Sequence, residues 1–190
     1  MTNKPISRYP VPEINDLPED LKERVLAVQE KAGFVPNVFL TLAHRPDELR
    51  AFMAYHDALM DRESGLSLAD REMIIVVTSS DNACQYCVVA HGAILRIRAK
   101  NSIIADQVAA NYRKSDITPR QMAMLDFATK VASSADSICN DDFDKLRDHY
   151  FTDEDIWDIA AITSFFGLSN RMANFASMRP NDEFYMMGRN

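Results

Sequence analysis

Residues 72–91 read Glu72-Met-Ile-Ile-Val-Val-Thr-Ser-Ser-Asp-Asn-Ala-Cys84-Gln-Tyr-Cys87-Val-Val-Ala-His91 and contain two of the three cysteines of the chain. Cys84, Cys87 and His91 are separated by three and four positions, so on an α-helix their side chains lie on one face. Cα atoms three residues apart in a helix are about 5–6 Å apart, a separation that permits a disulfide. The stretch therefore predicts a redox-capable dithiol beside an imidazole.

The two cysteines fall near the predicted start of a helix. Asn82 is a favoured N-cap residue, and Gln85 three positions later gives a pattern close to a capping box. Cys84 would then lie in the first helical turn, where unpaired backbone N–H groups and the helix dipole lower a cysteine pKa from about 8.5. We therefore expect at least one thiol to be reactive near neutral pH.

Glu72 reaches this site only if the chain reverses direction. Twelve residues of unbroken helix would hold Glu72 about 18 Å from Cys84. The polar run 79–82 provides a break, and in a helical hairpin that turns at Asp81, Glu72 lies nine residues before the turn and His91 ten residues after it. We predict that these two side chains meet, so that the carboxylate orients the imidazole as a general base.

The segment that carries Glu72 gives conflicting signals. Ser67 and Asp70 have the spacing of a capping box, which predicts a helix start. Residues 74–78, Ile-Ile-Val-Val-Thr, have strand propensity. We predict a helix, because the cap agrees with the hairpin geometry and propensity alone is a weak preference.

The whole pattern, a Glu followed after twelve positions by Cys-x-x-Cys and then by His four positions later, resembles the alkylhydroperoxidase D (AhpD-like) family within the carboxymuconolactone decarboxylase superfamily. Residues 33–39, 66–72, 170–174 and 179–185 resemble its peroxidase-related branch. The resemblance implies an all-α, AhpD-like helical bundle and a homo-oligomer (dimer, trimer or hexamer). It also implies a thiol-dependent antioxidant peroxidase that reduces organic hydroperoxides.

The resemblance further implies a role for each residue of the motif. Cys87 attacks the hydroperoxide, Cys84 resolves the sulfenic acid into a disulfide, and Glu72 and His91 form a proton relay. No cofactor or metal is implied, and an external dithiol reductant, protein or small molecule, completes the cycle. The best-known members have a further His just before the second cysteine, where this chain has Tyr86, so the implied relay is shorter.

Two residues near the motif are candidates for lining the site. Tyr86 is interpreted either as a core residue or as a proton donor beside Cys87. His56 lies on the apolar face of a predicted helix, where it either has a structural role or lines the site.

Composition limits the class of protein. With 190 residues, of which 47% are hydrophobic, the chain is expected to form one domain with one core. A net charge of −7 argues against nucleic acid and anionic membrane surfaces as partners. No apolar run is long enough for a membrane span and the N-terminus lacks a signal-peptide pattern. Three cysteines with one close pair fit a reducing compartment, so we expect a cytoplasmic protein.

The helical patterns divide the chain into three parts. Prolines at positions 5, 10 and 12 predict an extended N-terminal arm over residues 1–15. About eight helices follow in a domain over residues 16–178. Residues 179–190 form a C-terminal tail whose apolar segment, 184–187, is predicted to dock on a neighbouring subunit.

The helical domain contains a predicted degenerate internal repeat. At an offset of 85 residues, Ser67 and Asp70 align with Thr152 and Asp155, and residues 74–79 align with residues 159–164. In the second copy the residues aligned with the Glu, the two Cys and the His of the motif are Trp157, Ser169, Met172 and Ala176. Only the first copy therefore retains the chemical groups.

Other interpretations of the motif stay open at this stage. The cysteines could be small buried core residues, or Cys84, Cys87 and His91 could bind zinc together with Cys139 or Glu72. The dithiol could also belong to a redox adaptor or sensor that exchanges disulfides with a protein partner. A lyase like the carboxymuconolactone decarboxylases, in which the cysteines are dispensable, is the remaining alternative.

Overall fold

The computed structural model describes residues 4–189, which form nine α-helices and no β-strand. The helices are α1 (Glu19–Ala32), α2 (Asn37–Leu42), α3 (Pro46–Met60), α4 (Leu68–Asp81), α5 (Gln85–Ala99), α6 (Ile104–Asn111), α7 (Pro119–Ser134), α8 (Asn140–Asp148) and α9 (Asp153–Phe175). The prediction of an all-α fold is confirmed. None of the helices in this part of the chain is both long and apolar enough to cross a membrane.

Helices α4 and α9 form the centre of the bundle. Every residue from Asp70 to Ser79 in α4 is buried, and this helix packs on α5, α6, α7 and α9. Ile74 and Ile75 share the main hydrophobic cluster with Ile159 and Phe166 of α9. A helix that is buried on all sides tolerates β-branched residues, because packing outweighs their small propensity penalty. The prediction of a helix over the strand-like segment is confirmed.

Helices α4 and α9 begin with the same cap. Ser67 accepts a hydrogen bond from the Asp70 amide through its hydroxyl, while the Asp70 carboxylate accepts one from the Ser67 amide. Thr152 and Asp155 form the same reciprocal pair. Both capping boxes lie where the sequence predicts them and correspond at the offset proposed for the internal repeat. The repeat itself stays a prediction.

The start of α5 differs from the prediction. Helix α4 continues to Asp81, Asn82 is its C-cap, and α5 begins at Gln85 with Cys84 as its N-cap. The Asn82 side chain donates to the carbonyl four residues back at 2.9 Å, so it closes one helix instead of opening the next. Ala83 completes the reversal in the left-handed region, with a φ of 48°. The prediction that Asn82 caps α5 and that Cys84 lies within its first turn is therefore wrong.

The N-terminal segment lies along the end of α9. Residues 4–13 contain no helix, and residues 1–3 of the predicted arm fall outside the described part of the chain. The Arg8 amide donates to the Ala176 carbonyl at 2.7 Å, and the Arg179 amide donates to the Ile6 carbonyl at 3.0 Å. These two bonds tie the arm to the segment that follows α9.

The C-terminal tail packs on its own chain. Arg96 of α5 is buried and donates to the carbonyls of Phe184 and Met187, both at 2.9 Å. Phe184 is buried in the cluster that surrounds the two motif cysteines. Its burial therefore needs no second subunit. Docking on a neighbouring subunit stays a prediction for the exposed part of the tail, where Met186 is 68% exposed.

Candidate active site

Glu72 and His91 meet across the hairpin formed by α4 and α5. Glu72 Oε2 lies 2.8 Å from His91 Nδ1, and Glu72 Oε1 lies 2.9 Å from Nη1 of Arg98. The carboxylate is buried, whereas the Arg98 side chain is 31% exposed. The Glu72 carboxylate, paired with Arg98, accepts a hydrogen bond from the Nδ1–H group of His91. The other ring nitrogen, Nε2, is then the one that can take up and return a proton.

Aromatic rings hold the His91 imidazole in place. The Phe166 ring meets it edge to face, with centroids 4.8 Å apart. The ring centroid of His56, in α3, lies 6.5 Å from that of the same phenylalanine and 6.1 Å from that of Phe165. Burial lowers the pKa of His56, and the positive charge of a protonated His91 lowers it further. The structure thus places His56 beside the relay, with its own Nδ1 directed at Asp57 at 3.3 Å.

Both motif cysteines are enclosed by apolar side chains. Cys84 is 0% and Cys87 2% exposed, and neither forms a disulfide. They belong to a cluster that also includes Tyr86, Ala90, Ala93, Ala173, Met178 and Phe184, with Phe34, Val38, Val89 and Met187 packed around it. Side chains from α2, α9 and the C-terminal tail therefore cover the two sulfurs. A reagent can reach the sulfurs only if one of these elements moves.

The pKa values of the two thiols are shifted in opposite directions. The pKa of Cys84 is lowered to about 7, first by the Cys87 thiol as hydrogen-bond donor and then by the Cys87 backbone amide and Asn170, against the opposing effect of burial. The pKa of Cys87 is raised well above its ordinary value, because its thiol donates to Cys84 and because it is buried. Cys84, at the helix N-cap, is therefore the more acidic thiol of the pair.

Helix α9 contributes polar groups that the sequence did not indicate. Asn170 is fully buried, donates to the Ser79 hydroxyl at 2.9 Å and accepts from the Asn82 side chain at 3.1 Å. Its amide also lowers the pKa of both thiols. The Ser169 hydroxyl oxygen lies 4.0 Å from the Cys87 sulfur. Asn170 thus fixes the turn between α4 and α5 and favours a thiolate there.

Tyr86 has a structural contact of its own. Its side chain is buried, and its hydroxyl accepts a hydrogen bond from the Val38 amide at 3.1 Å, in the first turn of α2. Burial raises the pKa of Tyr86. The residue therefore joins α5 to α2 and remains protonated under ordinary conditions.

The geometry does not assemble the alternative zinc site. Among residues 4–189, no three His, Cys, Asp or Glu side chains are grouped so that they could hold a metal ion. Cys139 is the exposed N-cap of α8, where its thiol donates to Asp142 at 3.5 Å. It takes no part in the cluster around Cys84 and Cys87.

Comparison with known proteins supports the resemblance seen in the sequence. The family model described as the carboxymuconolactone decarboxylase family matches residues 46–132. A crystal structure described as an alkylhydroperoxidase AhpD core, an uncharacterized peroxidase-related protein from Ralstonia eutropha JMP134, is 67% identical, with 98% of each chain covered and a TM-score of 0.98. No curated protein matches the chain.

More distant structures share the fold. An uncharacterized peroxidase-related protein from Silicibacter sp. TM1040 is 40% identical over 100% of this chain and 99% of its own, with a TM-score of 0.93. The debrominase Bmp8, solved with 2,3,4-tribromopyrrole, is 22% identical over 96% and 95% of the two chains, with a TM-score of 0.74, a likeness that concerns the fold alone. The chain therefore belongs to the AhpD-like, peroxidase-related branch of the carboxymuconolactone decarboxylase superfamily.

Proposed function

We propose that the protein is a thiol-dependent peroxidase that reduces organic hydroperoxides through a dithiol/disulfide cycle of Cys87 and Cys84. The observation that carries the proposal is the hydrogen bond between Glu72 and His91, 2.8 Å long, one helical turn from Cys87. Paired thiols supply the two electrons that cleavage of an O–O bond requires, and the imidazole supplies the proton. The family relationship supports a peroxidase-related activity.

The relay consists of three side chains in series. Arg98 orients the Glu72 carboxylate, and Glu72 in turn fixes His91 through Nδ1. Nε2 of His91 is then free to take a proton from a thiol and to give one to the departing alkoxide. Because Glu72 is buried, little water competes for its hydrogen bond with the imidazole.

The proposed reaction begins with a proton shift within the cysteine pair. The proton of Cys87 passes to Cys84 or to His91, and the Cys87 thiolate attacks one oxygen of the hydroperoxide. An S–O bond forms, the O–O bond breaks, and the alkoxide leaves as an alcohol after protonation. Cys84 then attacks the sulfenic acid of Cys87, which gives a disulfide and releases water. An external dithiol reduces the disulfide and closes the cycle.

A thiol titration tests the proposal. One equivalent of cumene hydroperoxide should remove two thiols from the reduced wild-type protein, and it should also remove two from Cys139→Ser, the matched control without the exposed cysteine. Cys87→Ser should keep its thiols. If wild type and Cys87→Ser both keep all their thiols, the peroxidase proposal is overturned. Persistence of a mixed disulfide with another protein in the single-cysteine variants would instead favour a redox adaptor.

The assignment of the attacking sulfur has its own test, because Cys84 is the more acidic thiol of the pair. In Cys84→Ser, the sulfenic acid formed on Cys87 has no partner and should react with dimedone, whereas Cys87→Ser should give no dimedone adduct. An adduct only in Cys87→Ser would show that the two cysteines have exchanged roles. The dithiol cycle would survive that outcome, and the residue assignment would not.

We also propose a homo-oligomer. Tyr150 and Trp157, near the start of α9, are exposed aromatic residues, and such residues are enriched at protein interfaces. Sedimentation velocity of the wild type and of Trp157→Glu tests this, since a charge in an interface should reduce the mass of the assembly. A monomeric wild type at micromolar concentration would contradict the proposal.

A further inference from the structure

A cavity of about 610 Å³ lies between α2, α3 and the C-terminal half of α9. Its walls are mostly apolar and include Leu42, Phe52, Phe165, Leu168 and Met172. A volume of this size and an apolar lining with few polar groups are typical of sites for small organic molecules. Neither cysteine lines the cavity, so its relation to the thiols rests on the elements that both share.

Helix α9 borders both the cavity and the thiols. Phe165 and Met172 both line the cavity, and Ser169 lies between them, four positions after one and three before the other, on the same helical stripe. The Ser169 hydroxyl oxygen is 4.0 Å from the Cys87 sulfur. The two ends of this stripe thus line the cavity, and its central residue lies beside the Cys87 thiol.

Helices α2 and α3 also contribute residues to both the cavity and the candidate active site. Helix α2 supplies Leu42 to the cavity and, one turn earlier, Val38 to the cluster around the cysteines. Helix α3 supplies Phe52 to the cavity and His56 to the aromatic group that includes Phe166 and the relay imidazole. Helices α2, α3 and α9 therefore border both the cavity and the candidate active site.

The lining indicates the chemistry of the ligand. An exposed ion pair lies at the cavity, Arg45 Nε to Glu48 Oε1 at 3.0 Å, in which the two charges match each other. Thr41 lines the cavity, is nine-tenths buried, and its hydroxyl has no hydrogen-bond partner among the described residues. That oxygen has almost no accessible surface, so recognition at this cavity rests on the apolar lining, which favours an uncharged ligand.

We propose that this cavity binds the apolar body of an uncharged organic hydroperoxide, whose peroxide group passes Ser169 to reach Cys87. The inference rests on the proposed function and adds to it a binding site and a substrate preference. Bulky apolar hydroperoxides should be preferred to hydrogen peroxide, which has nothing to place in the cavity.

A binding measurement tests the site without any reaction. The probe is 2-phenyl-2-propanol, the unreactive alcohol product of cumene hydroperoxide, observed by saturation-transfer NMR on the reduced protein. Leu168 lines the cavity and is 54% exposed, so Leu168→Glu introduces a charge without emptying the core. Leu26→Glu is the matched control, since Leu26 lies in α1, is 42% exposed and does not line the cavity.

We expect wild type and Leu26→Glu to bind the alcohol and Leu168→Glu to lose at least about tenfold in affinity, because an apolar ligand does not compensate a charge that it desolvates. The ratio of the thiol oxidation rate with cumene hydroperoxide to that with hydrogen peroxide should fall by a similar factor in Leu168→Glu and stay within about twofold in Leu26→Glu. Equal binding by all three proteins, or no binding by the wild type, would overturn the proposal.

Two further outcomes separate this inference from the proposed function. If no peroxide oxidises the thiols but alcohol binding is lost only in Leu168→Glu, the binding site stands and the peroxidase fails. If sedimentation shows that Leu168→Glu, and not Leu26→Glu, dissociates a wild-type oligomer, the cavity is part of a subunit contact and the small-molecule proposal is overturned.

Discussion

Replacement of Cys87 by alanine should raise the pKa of Cys84. The lowered pKa of about 7 arises first from the Cys87 thiol, which donates a hydrogen bond to the Cys84 sulfur. Each tenfold change in ionisation corresponds to about 1.4 kcal/mol, so a return to the ordinary value of 9.0 would remove about 3 kcal/mol of thiolate stabilisation. At neutral pH the thiolate fraction would fall from about half toward about one per cent.

Cys87→Ser is the matched comparison, because its hydroxyl still donates a hydrogen bond. We expect its Cys84 to titrate below that of Cys87→Ala, but above about 7 if a serine hydroxyl fits the sulfur less well. Asn170 and the backbone amide of residue 87 remain in both variants, so Cys87→Ala should not reach the full unperturbed value.

The assay is the ultraviolet absorbance of the thiolate as a function of pH, measured in a Cys139→Ser background so that Cys84 is the only remaining cysteine. Absorbance suits this site because it needs no reagent to enter, and Cys84 is fully buried. Identical titration curves for Cys87→Ala and Cys87→Ser would refute the hydrogen-bond argument. A near-neutral pKa for the lone Cys87 of Cys84→Ser would place the resting thiolate on the other sulfur.

Three further substitutions test the surroundings of the site. Arg98→Met should slow disulfide formation about tenfold and change its pH profile. Arg98→Lys should retain most of the rate, because a cation still orients Glu72. Equal rates for the two variants would exclude the positioning role. Tyr86→Phe should lower the free energy of unfolding by about 1 kcal/mol in denaturant titrations and leave the oxidation rate unchanged, because its hydroxyl serves the amide of α2; a slower rate would make it a proton donor. Gly65→Ala should cost about 1–3 kcal/mol by the same titration, because its Cβ would lie 2.6 Å from an Asp155 oxygen; unchanged stability would show that the carboxylate moves aside.

The sequence predicted those parts of the fold that depend on short-range chemistry. The capping boxes at Ser67 and Thr152 start α4 and α9 where expected, because a hydroxyl and a carboxylate three residues apart satisfy each other's backbone amides locally. The meeting of Glu72 with His91 followed from counting residues on either side of one turn, since the rise of a helix is fixed.

The start of α5 was mispredicted because two local signals compete over the same residues. Asn82 is a good N-cap by type, but its side chain closes α4, and the left-handed Ala83 then moves the start of the next helix to Gln85. A left-handed alanine is unusual, and no residue pattern around position 83 predicts it. The consequence for chemistry is direct, since Cys84 becomes the N-cap and gains the Cys87 thiol and amide as neighbours.

The residues that the sequence did not identify come from tertiary packing or from beyond the motif. Arg98 lies seven positions after His91, two turns along the same helix face, so its spacing carried a signal that could have been used. Asn170 and Ser169 reach the cysteines only through the packing of α9 on the hairpin. No local pattern distinguishes these two side chains from other polar residues of that helix.

Tyr86 links the fold to the chemistry at the position where better-known relatives have a histidine. Its hydroxyl holds the first turn of α2 through the Val38 amide, and Val38 covers the cysteine cluster. A tyrosine with a raised pKa cannot take up the proton of Cys87 as an imidazole would. In the proposed mechanism, base catalysis therefore falls to His91, whose orientation depends on the pairing of Glu72 with Arg98. The Asn37 amide donates to the Asn181 side chain at 2.8 Å, so the start of α2 is fixed over the cysteine cluster from both α5 and the C-terminal segment.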